Sequence, residues 1–228
     1  MGALDLSING PTAPGVELHR AMNATDTLPG FGYPLLLGVL AAYAVGCVNT
    51  GYYLVRWKTG QDLRAVGSGN AGAKNVSRIL GPWGFAATLL GDMLKGAGIV
   101  QAARLAGWNS VACVFVILAV TAGHNWPAQL GFRGGKGVAT SFGALLVYDP
   151  ILAGLMLAVC VVFLAVTRRF TLSAVAAFAV CPALAAADGH GVIVVMLLVP
   201  LVGFVVWPHL PNLRAEFPRM SPRPGAPP

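Results

Sequence analysis

The chain has 228 residues, 56% of them hydrophobic and only 10% charged, with a formal net charge of +7. A soluble domain carries about 25% charged residues, so this composition, with a mean hydropathy of +0.71, excludes an ordinary soluble domain. It predicts an all-α polytopic membrane protein whose backbone polar groups must pair internally. The excess of cations reads as a topology signal, and nucleic-acid binding is not expected.

Residues 1–30 are polar and contain Pro11, Pro14 and Pro29. They lack a basic start followed by an apolar core, so they read as a mobile tail and not as a signal peptide. The first span is expected at 34–57, with Asn49 and Thr50 facing the protein interior. After it comes Val66-Gly-Ser-Gly-Asn-Ala-Gly-Ala-Lys-Asn-Val-Ser-Arg78. Gly67, Gly69 and Gly72 admit φ > 0 and close approach of a ligand. Ser68, Asn70 and Asn75 offer neutral donors, and Lys74 and Arg78 share a helical face. A glycine-rich turn feeding a helix N-terminus suits a phosphate; a loop facing lipid headgroups is the alternative.

The second span, 82–105, holds Asp92 and Lys95. Charges at membrane depth are either functional or paired, and a spacing of three lets these two pair with each other. The third span, 109–123, ends at Gly123-His124. His124 could act as a base, donate to a phosphate, or be structural. A second polar insertion follows, closing with Arg133-Gly-Gly-Lys136-Gly-Val-Ala-Thr140. It joins a cation to permissive backbone but lacks the Walker A spacing. A short apolar piece at 138–148 and spans at 150–167, 171–187 and 190–208 complete the set. Several fall short of the roughly 20 residues needed to cross a bilayer. Seven crossings are expected, or five if the short pieces are re-entrant.

With seven spans and an outside N-terminus, the inside segments hold Arg56, Lys58, Arg64, Lys74, Arg78, Arg133, Lys136, Arg168, Arg169, Arg214, Arg219 and Arg223. The outside holds only Arg20 and Arg104. This is a positive-inside pattern. It places both glycine-rich loops on the cytoplasmic face, where two loops of like chemistry predict one shared site. Lys136, Arg78 and Lys74 are the candidate phosphate ligands. For Arg168, Arg169 and the C-terminal arginines, attraction to lipid headgroups fits better. His209 and Asn212 lie three apart, though Pro211 between them argues against a regular helix. Cys47, Cys113, Cys160 and Cys181 lie in apolar segments without metal spacing and read as buried thiols. No Ser-His-Asp set and no H-x-x-x-x-D acyltransferase motif is present.

At these loops the chain closely resembles PlsY, the acyl-phosphate-dependent glycerol-3-phosphate acyltransferase family. The first family motif matches Gly67-Ser68-Gly69-Asn70, Gly72-Ala73, Asn75 and Arg78. The second matches Gly123-His124, Pro127, Phe132 and Gly134-Gly135-Lys136-Gly137-Val138-Ala139-Thr140. Asp92 to Gly96 also fits, and Leu172-Ser173, Ala176-Ala177, His209 and Asn212 fit more loosely. The resemblance covers about residues 35–215. It implies seven helices with the N-terminus outside, and transfer of a fatty acyl group from acyl phosphate to the 1-hydroxyl of sn-glycerol 3-phosphate. Lysophosphatidic acid and phosphate would be the products, with no cofactor or metal.

By the same resemblance Ser68, Arg78, Lys136, His209 and Asn212 carry catalysis. Gly69, Asn70, Asn75, His124, Gly134, Gly135, Gly137, Thr140 and Ser173 bind substrate. The domain is expected at 31–215, between the tail of 1–30 and a Pro/Arg-rich cytoplasmic tail of 216–228, as a monomer in the bacterial inner membrane among membrane lipids. Two departures stand out. Lys74 replaces the family's usual Thr, and the C-terminal motif reads His209-Leu-Pro-Asn212-Leu-Arg-Ala-Glu216. Since the site already has two cations, Lys74 is expected to snorkel to the interface. A phosphate-recognising transporter or an inactive lipid-binding relative is the competing class.

Overall fold

A computed structural model describes residues 32–216. The two predicted tails lie outside the described residues, apart from Glu216. Among the described residues all regular structure is helical, without strands. The predicted first span is two helices, α1 (Tyr33–Cys47) and α2 (Thr50–Thr59), broken at Val48-Asn49. Gly60, at φ 71°, ends α2 in the left-handed conformation that glycine adopts without strain.

Helix α3 (Ala73–Leu105) begins at the first glycine-rich loop. It is broken at Gly81, with φ 68° and ψ −163°, directly before Pro82. Proline offers no N–H and disfavours helical backbone at the residue before it, and only glycine accepts the resulting angle cheaply. Helix α4 (Ser110–Asn125) is N-capped by Asn109. Helix α5 (Val138–Tyr148) has 11 residues, and α6 (Pro150–Thr167) is capped by the Asp149 carboxylate. Helices α7 (Phe170–Ala179) and α8 (Cys181–Ala187) meet at a 43° bend. The last helix, α9 (Val192–Glu216), runs through Pro200, Pro208 and Pro211.

That last helix corrects the expectation for Pro211: His209 and Asn212 lie on continuous helix. Pro208 leaves the Phe204 carbonyl without its usual i+4 donor. The Asn125 side-chain amide supplies one, at 2.6 Å. The Trp126 ring packs edge-on against Phe204, with centroids 5.1 Å apart, so α9 is seated on the end of α4.

Four segments are long and apolar enough to cross a membrane, or five if the bent α7–α8 pair is one span. Between them α4 is the buried centre, with Val111, Val114, Ile117 and Val120 fully enclosed. Lipid gives helices no hydrophobic reason to associate, so close backbone approach must hold them. Glycines provide it. A methyl added at Gly123 of α4 would fall 2.1 Å from the Tyr43 carbonyl of α1, and one at Gly46 2.2 Å from the Val120 carbonyl. Gly96 of α3 and Gly143 of α5 approach each other's helices in the same way, 2.1 Å from the Thr140 carbonyl and 2.2 Å from that of Met93. These two pairings fix the frame in which the broken ends of α1, α3 and α4 converge.

Candidate functional site

The break between α1 and α2 frees backbone carbonyls that membrane lipid cannot solvate. Lys95 of α3 reaches into it. Its ammonium donates to the Gly46 carbonyl (3.1 Å) and the Val48 carbonyl (2.7 Å), and sits 2.9 Å from His124 Nδ1. It also pairs with Asp92 Oδ1 at 2.9 Å, as the spacing of three allowed. An ammonium only donates, so His124 Nδ1 accepts and its proton resides on Nε2. On the other side Asn49 Nδ2 donates to the His124 carbonyl at 3.3 Å. Lys95 thus fixes the imidazole at Nδ1 and Asn49 fixes its backbone, with the Nε2 edge under Gly135, where a methyl would come within 1.9 Å of that nitrogen.

The first glycine-rich loop is shaped by its own side chains. Asn75, 2% exposed, accepts from the Ser68 N–H and donates to the Leu63 and Val66 carbonyls at 3.1 and 2.9 Å. Gly67, at φ 59°, leaves room for the Arg78 guanidinium, which a methyl there would meet at 2.9 Å. Asn70 accepts from the Gly72 N–H at 2.8 Å, which opens the first turn of α3.

The second loop is clamped to the first. The Gly134 carbonyl accepts from the Ala71 N–H (3.2 Å) and Asn70 Nδ2 (3.3 Å). Asp62 grips Arg64 in a two-armed ion pair, and Arg64 Nη1 donates to the Leu130 carbonyl at 2.5 Å. The guanidinium holds the Asp62 carboxyl down to about 2. Gly134 and Gly135 donate back to the Asn125 and His124 carbonyls, so the loop retraces the end of α4. Gly137, at φ 80°, then starts α5.

Between the loops lies a cavity of about 300 Å³, of small-ligand size. Its polar wall carries Ser68, Asn70, Lys74, Asn75, Arg78, Asp92, His124, Lys136, His209 and Asn212. All five predicted catalytic residues are therefore brought together, along with Asn70, Asn75 and His124. Lys136 is pushed down to about 8, by burial first and then by the Lys74 charge. His209 Nδ1 lies 2.7 Å from the Val205 carbonyl, an acceptor only, so Nδ1 carries a proton and Nε2 is left to face a partner.

Other predicted residues stand outside the lining. Gly69, Gly134, Gly135 and Gly137 shape the loops, and Thr140 is buried where α5 crosses Gly96. Ser173 is fully buried and its hydroxyl donates to the Arg169 carbonyl at 2.9 Å. Nothing directs it toward the cavity. Lys74, expected at the lipid interface, lines the cavity. The largely apolar wall formed by Phe85, Leu89, Phe170, Thr171 and Ala174 escaped sequence reasoning, and Val138, matched only as part of the second motif, completes it. Phe85, Leu89 and Asp92 recur at i, i+4 and i+7, one face of a helix. That period was the available signal, and a lipid-facing stripe imitates it.

Residues 36–217 match a family model described as glycerol-3-phosphate acyltransferase. A glycerol-3-phosphate acyltransferase 1 of Desulfitobacterium hafniense is 40% identical over 188 residues, covering 82% of this chain and 93% of its own length. A glycerol-3-phosphate acyltransferase of Clostridioides difficile is 39% identical over 191 residues, covering 81% and 91%. Among solved structures, PlsY, an integral membrane glycerol 3-phosphate acyltransferase in its glycerol 3-phosphate form, superposes with a TM-score of 0.75 at 31% identity, over 82% of this chain and 94% of that one. Its lysophosphatidic acid form gives 0.72 at 28% identity, over 82% and 93%.

Proposed function

This chain belongs to the glycerol-3-phosphate acyltransferase family, and on that footing we propose that it transfers a fatty acyl group from acyl phosphate to the 1-hydroxyl of sn-glycerol 3-phosphate. The observation that carries the reading is a surplus of charge. Lys74, Arg78 and Lys136 line one cavity, and no carboxylate among the described residues pairs with any of them. The one acid in the lining, Asp92, is already matched by Lys95. A cavity so built is complete only with anions in it, and two phosphate-bearing substrates supply them.

Acyl phosphate is a mixed anhydride, so the protein's task is to hold two anions together and stabilise developing charge. The substrate hydroxyl oxygen attacks the acyl carbonyl carbon, the bond from that carbon to the phosphate oxygen breaks, and phosphate departs. The hydroxyl proton leaves with the phosphate; the donor itself is the base. Ser68, Arg78 and Asn212 hold glycerol 3-phosphate, and Lys136 offsets the repulsion between the phosphates. His124 offers an Nε2 donor and His209 an Nε2 acceptor at the same cavity. The wall of Phe85, Leu89, Val138 and Phe170 takes the acyl chain.

The active form is a monomer with seven crossings, the N-terminus outside and the cavity facing the cytoplasm. Support comes from the sequence, in which twelve cations fall in the segments that this topology puts inside, against Arg20 and Arg104 outside.

The test is purified protein with acyl phosphate and labelled glycerol 3-phosphate. Lysophosphatidic acid and equimolar phosphate are expected. Retained ligand binding without either product overturns the proposal, and labelled uptake into proteoliposomes would assign a transporter instead.

A further inference from the structure

Lys74 is the one cation of the cavity that its surroundings do not explain. It is the second residue of α3, where the positive end of the helix dipole opposes an ammonium. It lines the same cavity as Lys136, close enough for its charge to disfavour the Lys136 ammonium. Among the described residues no carboxylate reaches it: Asp62 holds Arg64, Asp92 holds Lys95, and Asp149 holds His190. Its side chain is exposed, so it was free to turn to the interface, yet it lines the cavity beside Ser68, Asn70 and Arg78. Two repulsions are tolerated here without an internal partner.

We propose that Lys74 is a substrate ligand, a third cation that grips a phosphate oxygen of one of the two substrates at the first turn of α3. This rests on the cavity being the acyltransfer site. The same phosphate that Arg78 meets is within its reach, since residues four apart share a helical face. With Lys74 the cavity sets three unpaired cations against two phosphates; without it, two. The ligand chemistry is a phosphate monoester or acyl phosphate, and a lipid headgroup is the rival source of the same chemistry.

The experiment uses the full chain with Lys74→Met and Lys74→Arg, first in neutral maltoside micelles and then in vesicles containing phosphatidylglycerol. KM for each substrate is measured with the other saturating, together with inhibition by inorganic phosphate. In micelles Lys74→Met should raise KM for one substrate about tenfold, as loss of a charge-assisted contact predicts. It should weaken phosphate inhibition, leave kcat less affected, and be rescued by Lys74→Arg. The substrate whose KM moves is the one held.

Unchanged KM values and unchanged phosphate inhibition in micelles overturn the proposal. A defect confined to anionic vesicles would make Lys74 a headgroup anchor. Should the wild-type protein make no lysophosphatidic acid, the acyltransfer reading fails alone. Calorimetric binding of inorganic phosphate to wild type and Lys74→Met then still decides for or against Lys74.

Discussion

Replacing Lys95 with Met removes one charge while nearly conserving side-chain volume, and it probes how the broken first span is held. Four acceptors lose their donor: Asp92 Oδ1, the Gly46 carbonyl, the Val48 carbonyl and His124 Nδ1. Removing one partner of a buried ion pair costs about 3–5 kcal/mol, because the other charge stays buried alone. A stranded buried carbonyl adds about 1–3 kcal/mol, though protonation of Asp92 and solvation of the more open Val48 carbonyl take some of this back. A net loss of about 4 kcal/mol is the expectation. For a chain of this size that lowers Tm by roughly 8–16 °C. Tryptophan fluorescence of the detergent-solubilised protein follows the transition. Asp92→Asn combined with Lys95→Met removes both charges and should recover at least half of the loss. A single variant within about 2 °C of wild type, or a double variant less stable than the single, would refute the claim that Lys95 neutralises Asp92 and seals the break.

Four further outcomes are expected. Lys136→Ala should lower kcat/KM by about two orders of magnitude or more, since a charge-assisted contact in a transition state is worth roughly 3 kcal/mol; near-normal turnover would make the second loop merely structural. Because free Lys136 titrates at about 8, kcat/KM should fall as pH rises through that value. Lys74→Met removes a repelling charge and should move this limb to higher pH, whereas an unmoved limb would assign the titration elsewhere. Gly135→Ala places a methyl 1.9 Å from His124 Nε2, so loop or ring must shift and activity should drop about a hundredfold, a displacement of this kind being costly; a fully active variant would show that the His124 edge is not poised. Ser173→Ala should leave both KM values within about twofold and cost only about 1 kcal/mol of stability, and a large KM change would return Ser173 to the site.

The polar half of the site was legible because chemistry that is rare in a membrane segment stands out. Arg78, Lys136 and the glycines interrupt apolar sequence, and their loops converge as expected. Asp92 and Lys95 pair at the spacing that permitted it. The apolar half was not legible, because Phe85, Leu89 and Val138 look the same whether they face lipid or an acyl chain. Two breaks were missed for a related reason. Asn49 and Gly81 carry no charge, and the carbonyls freed at Val48-Asn49 are met by Lys95 and Gln129, which lie in other segments. Pro211 misled in the opposite direction. Local rules end a helix there, but seating of α9 on α4 overrode them.

The amide of Asn125 has a bearing on how the protein is made. It leaves the ribosome well before Phe204, the residue whose carbonyl it serves. For that interval the end of α4 carries an amide without its final acceptor, and an incoming α9 carries a carbonyl without its donor. Each defect is the cure for the other, so the last helix is drawn to one place on the bundle and not merely to lipid. Chains that stop short of Phe204 keep the defect and have no means of closing the cavity. The site is therefore complete only once the last helix, which carries His209 and Asn212, has been made and seated.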